Sequence, residues 1–300
     1  MSNAEVINII VDKNGYGDYT TVTDAINSIK DSSKDKIYNV YITKGDYNIA
    51  GEQFPDGDYS EVKKGILLPD YVNLIGLGKC EDVILRAEFP ETISLDLSTQ
   101  FSTINIEQNN DLINIYFIAK NCRYACHDES GSKYKNYRRN VYNCIFHHKG
   151  VDKTDGTLWK WADGYGHGLS EGAICDFSFC KFITDVTIAG NGGYICHDNS
   201  DWQYPAKLKF DSCIFENTQN NMSFRVGTVG SGVDNIINFN GCTFTGNSEG
   251  NIIIQEESGY SGVGIDFKVF GVACKNPRPK VVRTDGKTYT PYFVASELVV

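Results

Sequence analysis

A Cys-x-Phe unit recurs four times in the chain, at intervals of 36, 33 and 29 residues. Cys and Phe two positions apart point to the same face of a β-strand, because side chains alternate along a strand. A strand that returns once per repeat with the same inward residues is typical of a solenoid. The sequence therefore predicts an all-β solenoid. The units are Asn143-Cys144-Ile145-Phe146, Phe179-Cys180-Lys181-Phe182, Ser212-Cys213-Ile214-Phe215 and Gly241-Cys242-Thr243-Phe244.

Composition limits the partners and the chemistry of the chain. The formal net charge is −10, and basic residues do not cluster, so we expect no nucleic-acid partner. At least four of the ten cysteines occupy inward strand positions, where a thiol serves as a small hydrophobic group. A zinc site would need two Cys-x2-Cys pairs or a similar set of ligands, and the cysteine spacings do not provide one. We therefore expect reduced core thiols, no metal and no cofactor.

The predicted organisation is one β-helical domain over residues 1–275, followed by a C-terminal appendage, 276–300, that supplies assembly or capping strands. Helical spacing of Val22, Ala25, Ile26 and Ile29 predicts a short helix over about residues 21–30 that caps the open end of the solenoid. Residues 93–108 largely alternate between apolar and polar, which predicts a strand. We expect no signal peptide and no membrane insertion.

The N-terminal third resembles the opening of pectinesterases and other pectin-lyase-like proteins. The resemblance implies a right-handed, single-stranded parallel β-helix. It is carried by Val11-Asp12-Lys13-Asn14-Gly15-Tyr16-Gly17-Asp18-Tyr19-Thr20-Thr21-Val22, by Val40-Tyr41-Ile42-Thr43-Lys44-Gly45-Asp46-Tyr47 and by Leu74-Ile75-Gly76-Leu77-Gly78.

Pectinesterase chemistry does not transfer directly to these residues. That family uses two aspartates and an arginine, and no Gln-Asp pair occurs here. Asp176-Phe177-Ser178-Phe179 is similar to one of its motifs without the glycine, and Asp155-Gly156-Thr157-Leu158 loosely resembles another. An esterase or a polysaccharide lyase therefore remains an alternative.

The middle of the chain resembles β-helical tail or baseplate proteins of phages that infect Gram-positive bacteria. Tyr124-Ala125-Cys126-His127-Asp128 precedes Cys144, and Tyr194-Ile195-Cys196-His197-Asp198 precedes Cys213. The resemblance implies a virion tail protein that binds cell-surface polysaccharide, contacts other tail or baseplate subunits and forms a homotrimer. It would be made in the cytoplasm of the host bacterium; a protein of the bacterial cytoplasm is the alternative location.

Counting back from each Cys-x-Phe unit places four residues at similar positions on successive coils. They are His127, His167, His197 and Arg225. If they form one column, they could bind sugar hydroxyls and carboxylates, and nearby tryptophans could stack on sugar rings. These tryptophans are Trp159, Trp161 and Trp202.

Three functions remain open from these patterns. The leading hypothesis is glycan recognition through the column. The alternative is a carbohydrate-active enzyme, whose candidate catalytic residues are Asp128, Asp198, Asp176 and Arg225. The third is a purely structural virion subunit. Adjacent residues on a strand face opposite ways, so His127 and Asp128 cannot share one face; if His127 points outward, Asp128 serves a turn or the interior.

Overall fold

The chain folds as a parallel β-helix built from three sheets. Each strand pairs in parallel with strands of the neighbouring coils, which confirms the predicted fold class. The computed structural model describes residues 4–128, 137–153, 155–159, 163–169, 174–185, 196–200, 207–217, 224–228, 235–246, 250–256, 267–282 and 292–294.

The strands divide among sheets A, B and C. Sheet A contains β1 (Glu5–Val11), β2 (Lys36–Ile42), β5 (Val72–Gly76), β8 (Asp111–Ile113), β11 (Arg138–Tyr142), β14 (Ile174–Ser178), β17 (Lys207–Asp211), β20 (Asn235–Asn240), β23 (Phe267–Val272) and β25 (Tyr292–Val294). Sheet B contains β3 (Gly45–Asn48), β6 (Val83–Glu88), β9 (Tyr116–Lys120), β12 (Ile145–His148), β15 (Lys181–Thr184), β18 (Ile214–Asn217) and β21 (Thr243–Thr245). Sheet C contains β4 (Ile66–Leu68), β7 (Ser102–Ile106), β10 (Tyr124–Asp128), β13 (Asp163–Leu169), β16 (Cys196–Ser200), β19 (Phe224–Thr228), β22 (Ile252–Glu256) and β24 (Pro279–Val282).

The Cys-x-Phe repeat forms two inward columns, as predicted. Five phenylalanines stack in register along sheet B, with ring centroids 5.2, 5.3, 4.9 and 5.0 Å apart from coil to coil. The repeat is therefore a register marker of the solenoid. The members of the column are Phe117, Phe146, Phe182, Phe215 and Phe244.

The cysteines of the repeat line the inner corner between sheets A and B. The thiols of Cys180, Cys213 and Cys242 donate to carbonyl groups of the preceding coil; Cys213 Sγ, for example, lies 3.6 Å from the Phe177 carbonyl oxygen. Burial raises the pKa of Cys122 to about 12 and that of Cys144 well above its usual value. The nine cysteines whose side chains are described are buried thiols, as expected.

Short helices lie within the first 100 residues, and closure of the open end by the first of these helices stays a prediction. They are α1 (Val22–Ser28), α2 (Ile49–Gln53) and α3 (Leu95–Gln100), and a 3-10 turn covers Cys80–Asp82. Helix α1 buries Val22, Ala25 and Ile26, as its spacing predicts. Thr21 caps its first turn, and Glu52 accepts hydrogen bonds from the backbone N–H groups of Val22 and Thr23.

The prediction of one strand over residues 93–108 is wrong at its start. Helix α3 occupies that part, and strand β7 begins at Ser102. The Ser94 hydroxyl accepts from the Leu97 N–H at 3.1 Å, which starts a helix before the alternating pattern takes over.

The C-terminal residues also contribute strands to the β-helix. Beyond residue 276, β24 pairs with β22 and β25 pairs with β23. The division into a domain and an appendage stays a prediction. Among the residues that the structure describes, no helix has the length and apolarity needed to cross a bilayer.

Candidate active site

The predicted column of three histidines and one arginine falls on sheet C. His127 pairs with Gly166, and Gly166 pairs in turn with His197. Arg225 pairs with His197 and so continues the same column. His167, however, pairs with Asp128 rather than with His127, so its backbone lies one residue further along the strand than Gly166. The register corrects the predicted alignment for His167, because counting back from each cysteine assumes coils of equal length.

His127 lies on the outer face of its strand but is covered by neighbouring groups. Its side chain is 1% exposed, and its ring centroid lies 5.0 Å from that of Tyr124. A covered histidine does not line an open groove.

Trp159 is partly buried, and its backbone N–H donates to the Ser98 hydroxyl at 2.9 Å. Other predicted binding and catalytic side chains lie outside the described residues: His167, His197, Arg225, Trp161, Trp202 and Asp198.

Asp128 points into the β-helix and forms a buried ion pair with Arg139. Both side chains have 0% exposure. The Arg139 guanidinium donates to Asp128 Oδ2 and to the Glu107 carbonyl oxygen, and it lies 5.5 Å from the centre of the Tyr137 ring. Asp128 therefore serves the interior, the role left open for it if His127 faces outward. In this position it does not reach a substrate on the surface.

The two aspartates that resemble pectinesterase motifs lie on different parts of the surface. Asp176 faces outward on β14 of sheet A, in register between Asn140 and Lys209. Asp155 lies between β12 and β13, where its carboxylate accepts from the backbone N–H and the hydroxyl of Thr157. The structure gives no support to a shared catalytic role for them.

A hydrogen-bonded trio lies on the outer face of sheet B. Inward packing of the phenylalanine column turns Tyr116 and His147 outward, and Asp185 follows the end of β15. Tyr116 Oη lies 2.7 Å from His147 Nδ1, and His147 Nε2 lies 2.6 Å from Asp185 Oδ2. The tyrosine and histidine rings are stacked, with planes 4° apart and centroids 6.0 Å apart. We call these three residues the Tyr-His-Asp trio.

With an ionised Asp185 and a neutral His147, the two hydrogen bonds of the trio have one consistent direction. An ionised Asp185 can only accept, so Nε2 of a neutral His147 carries the proton and donates. Nδ1 is then an acceptor for the Tyr116 hydroxyl. Burial, together with the negative charges of Asp185 and Glu88, raises the pKa of Tyr116. Tyr116 is therefore a protonated phenol at neutral pH, held against a base that a carboxylate orients.

The charged side chains around the trio form pairs of opposite charge. Each of four basic groups described on this face lies within 2.6–2.9 Å of a carboxylate oxygen. The face therefore offers no uncompensated cation among these four for an anionic sugar. The pairs are Arg86–Asp46, Lys120–Asp152, Lys149–Glu88 and Lys181–Glu216. Within the described ranges, no group of three potential metal ligands comes together.

His147 and His148 are neighbours at the end of β12, but they point to opposite faces of the strand. His148 points inward, where it donates to the Cys122 carbonyl at 2.8 Å and accepts from the Gly150 N–H at 2.9 Å. Burial lowers its pKa to about 4. The alternation after Phe146 could have assigned His147 to the outer face, but the distant Tyr116 and Asp185 are found only from the strand register.

No protein-family model matches the chain, and no curated protein matches it. Solved structures with a similar backbone path include a pectin methylesterase from carrot, at 13% identity and a TM-score of 0.45, covering 95% of this chain and 91% of that one. Another is a deglycosylated pectin methylesterase from Aspergillus niger, at 13% identity and a TM-score of 0.48, covering 100% and 93%. A third is pectin methylesterase PemA from Erwinia chrysanthemi, at 10% identity and a TM-score of 0.46, covering 98% and 94%.

Proposed function

We propose that the protein is a carbohydrate-active hydrolase that removes ester groups from a polysaccharide. The observation that carries the proposal is the unbroken line of two hydrogen bonds from the Tyr116 phenol through His147 to Asp185. A reactive hydroxyl, a base and a group that orients the base are the parts that acid–base catalysis of acyl transfer requires.

In the proposed reaction, Tyr116 and His147 carry a proton away from water and return it to the leaving group. A water molecule at the outer side of the Tyr116 hydroxyl attacks the ester carbonyl carbon and gives its proton to the phenol oxygen. The phenol passes its own proton to His147 Nδ1, and Asp185 stabilises the imidazolium. The proton then returns through the phenol to the departing alkoxide. The products are a carboxylic acid and an alcohol, and the trio is restored.

The position of the trio supports an extended substrate. It lies on the outer face of a sheet whose coils repeat at about 4.8 Å, a surface along which a linear polymer can lie. The four matched charge pairs favour a neutral, esterified sugar over the carboxylate that a lyase must bind. The fold itself adds only an analogy, because unrelated functions share it.

The finer roles that the phage resemblance implied stay predictions. These are a place in a virion tail, contacts with baseplate subunits, a trimeric state and recognition of host polysaccharide without chemistry. The trio bears on none of them.

The test is ester release by the full chain from acetylated and methyl-esterified polysaccharides. We expect Tyr116→Phe to lower the rate by about 100-fold or more, because it removes the proton-carrying atom and keeps the ring. Its melting temperature should change little, since one hydrogen bond contributes about 1 kcal/mol.

The matched control is Tyr38→Phe, which removes a hydroxyl that donates to Asp31 at 2.6 Å on sheet A. It should retain wild-type activity. The proposal fails if the wild-type protein releases no acid or alcohol from any polymer of the panel. It also fails if Tyr116→Phe is as active as Tyr38→Phe.

A further inference from the structure

The corner between sheets A and B repeats one backbone conformation on successive coils. One residue per coil adopts a positive φ between 49° and 63°, which lets the chain turn from one sheet to the next. This left-handed region suits glycine and asparagine and disfavours bulky side chains. The corner residues are Asn114, Asn143, Phe179, Ser212, Gly241 and Ala273.

Phe179 is the bulky residue among the six at this corner. On the two coils before it, Asn143 Nδ2 donates to Asn114 Oδ1 at 2.9 Å, which begins an asparagine ladder. Phe179 takes the next place in that ladder and holds φ at 57°. Its side chain is 57% exposed, so burial does not compensate for the unfavourable backbone. A strained, exposed aromatic residue points to a role in function.

Tyr142 completes a small aromatic surface with Phe179. It is 48% exposed, and the two ring centroids lie 5.6 Å apart with the planes at 74°. The backbone beneath is fixed by hydrogen bonds from the Asn143 N–H to the Ser178 carbonyl and from the Phe179 N–H to the Asp211 carbonyl. We call Tyr142 and Phe179 the corner pair. The backbone that carries the two rings is fixed before any ligand arrives, which lowers the entropic cost of binding.

The corner pair lies at the edge of the face that carries the trio. Phe179 precedes Lys181 by two residues, and Lys181 is in register with Ile145 and through it with Tyr116. Two residues of strand rise and two coil spacings put the backbone of Phe179 about 12 Å from that of Tyr116. A polymer that reaches Tyr116 along this face can therefore also contact the corner pair.

We propose that the corner pair is a sugar subsite, on which the apolar face of a pyranose ring of the polysaccharide stacks. The inference rests on the proposed function and adds the part of the surface that holds the polymer. A sugar fits this site better than a protein does. Two rings bordered by Asn143 and the Lys181–Glu216 ion pair are far smaller than the area of about 1,000 Å² that a specific protein interface needs.

The test is Phe179→Asn, a variant that restores the favoured residue at this position. It should melt no lower than the wild-type protein, because asparagine suits the positive φ. The KM for methyl-esterified pectin or acetylated xylan should rise about tenfold. The kcat and the hydrolysis of p-nitrophenyl acetate should stay unchanged, because neither depends on holding a polymer.

Ala273→Asn is the matched control. It introduces the same residue at the same backbone conformation, with φ of 54°, and removes no ring. It should leave the KM at its wild-type value. A wild-type KM in Phe179→Asn overturns the subsite, and so does an equal rise of KM in both variants.

Binding is measured separately from hydrolysis, by the retardation of the protein in native gels that contain either polymer. If the wild-type protein hydrolyses nothing but is retarded, and Phe179→Asn is not, the hydrolase proposal fails and the subsite stands. If the wild-type protein is not retarded and shows no activity on either polymer, the subsite is overturned as well.

Discussion

The buried pair of Asp128 and Arg139 gives a sharp prediction about stability. Asp128→Ala removes the carboxylate and leaves the guanidinium inside the β-helix, where both side chains have 0% exposure. Breaking one partner of such a pair costs about 3–5 kcal/mol, because the remaining charge keeps its desolvation penalty. The Glu107 carbonyl that also accepts from Arg139 only partly relieves it.

The expected shift in melting temperature follows from the length of the chain. The entropy of unfolding is about 2.1 cal/mol/K per residue, which over 300 residues gives about 0.6 kcal/mol/K. A loss of about 0.6 kcal/mol of stability therefore lowers the melting temperature by about one degree. Asp128→Ala should therefore melt about 5–8 °C below the wild-type protein. The double variant Asp128→Leu with Arg139→Met should melt at or above the wild-type temperature, because it removes both charges and fills the space.

The measurement is thermal unfolding of the full chain by circular dichroism, at one scan rate so that any irreversible step affects all variants alike. The matched control is Asp46→Ala, which breaks the partly exposed pair with Arg86 and should cost at most about 1 kcal/mol. The reasoning is refuted if Asp128→Ala melts within a degree of Asp46→Ala, or if the double variant falls as far as the single one.

Two further predictions concern the interior of the β-helix. The pKa of His148 is lowered to about 4 in the folded protein. As the pH falls from 6.5 to 4, the unfolded chain is protonated at this histidine and the folded protein is not, so the free energy of unfolding should fall by about 3 kcal/mol. His148→Asn should flatten this part of a plot of melting temperature against pH, and an unchanged slope would contradict the assignment. The nine described thiols should not react with Ellman's reagent until the protein is unfolded; more than one reactive thiol in the native protein would count against buried cysteines.

The fold could be predicted from the sequence because residue spacings within single strands are enough to identify it. Phe146 and Phe182 each stand two residues after a cysteine, and this short spacing is enough to assign the inward face. Ser94 shows the limit of such reasoning, because its hydroxyl starts a helix where alternation alone predicts a strand.

The candidate site could not be predicted in the same way, because its members come from different coils. Tyr116 and His147 are 31 residues apart, and His147 and Asp185 are 38 apart. Loops of unequal length separate them, so their neighbourhood depends on strand register rather than on spacing. The same variation displaced His167 from the predicted column.

The stacked phenylalanines of sheet B also bear on how such a molecule can change over evolutionary time. Each of the three inner rings meets another phenylalanine above and below, at 4.9–5.3 Å. Duplicating or deleting one whole coil would therefore leave every remaining ring with a suitable neighbour. Each such event would lengthen or shorten the outer face by about 4.8 Å without any change to the core. The length of the surface offered to a polymer is thus a quantity that can be adjusted in whole steps, independently of the residues that do the chemistry.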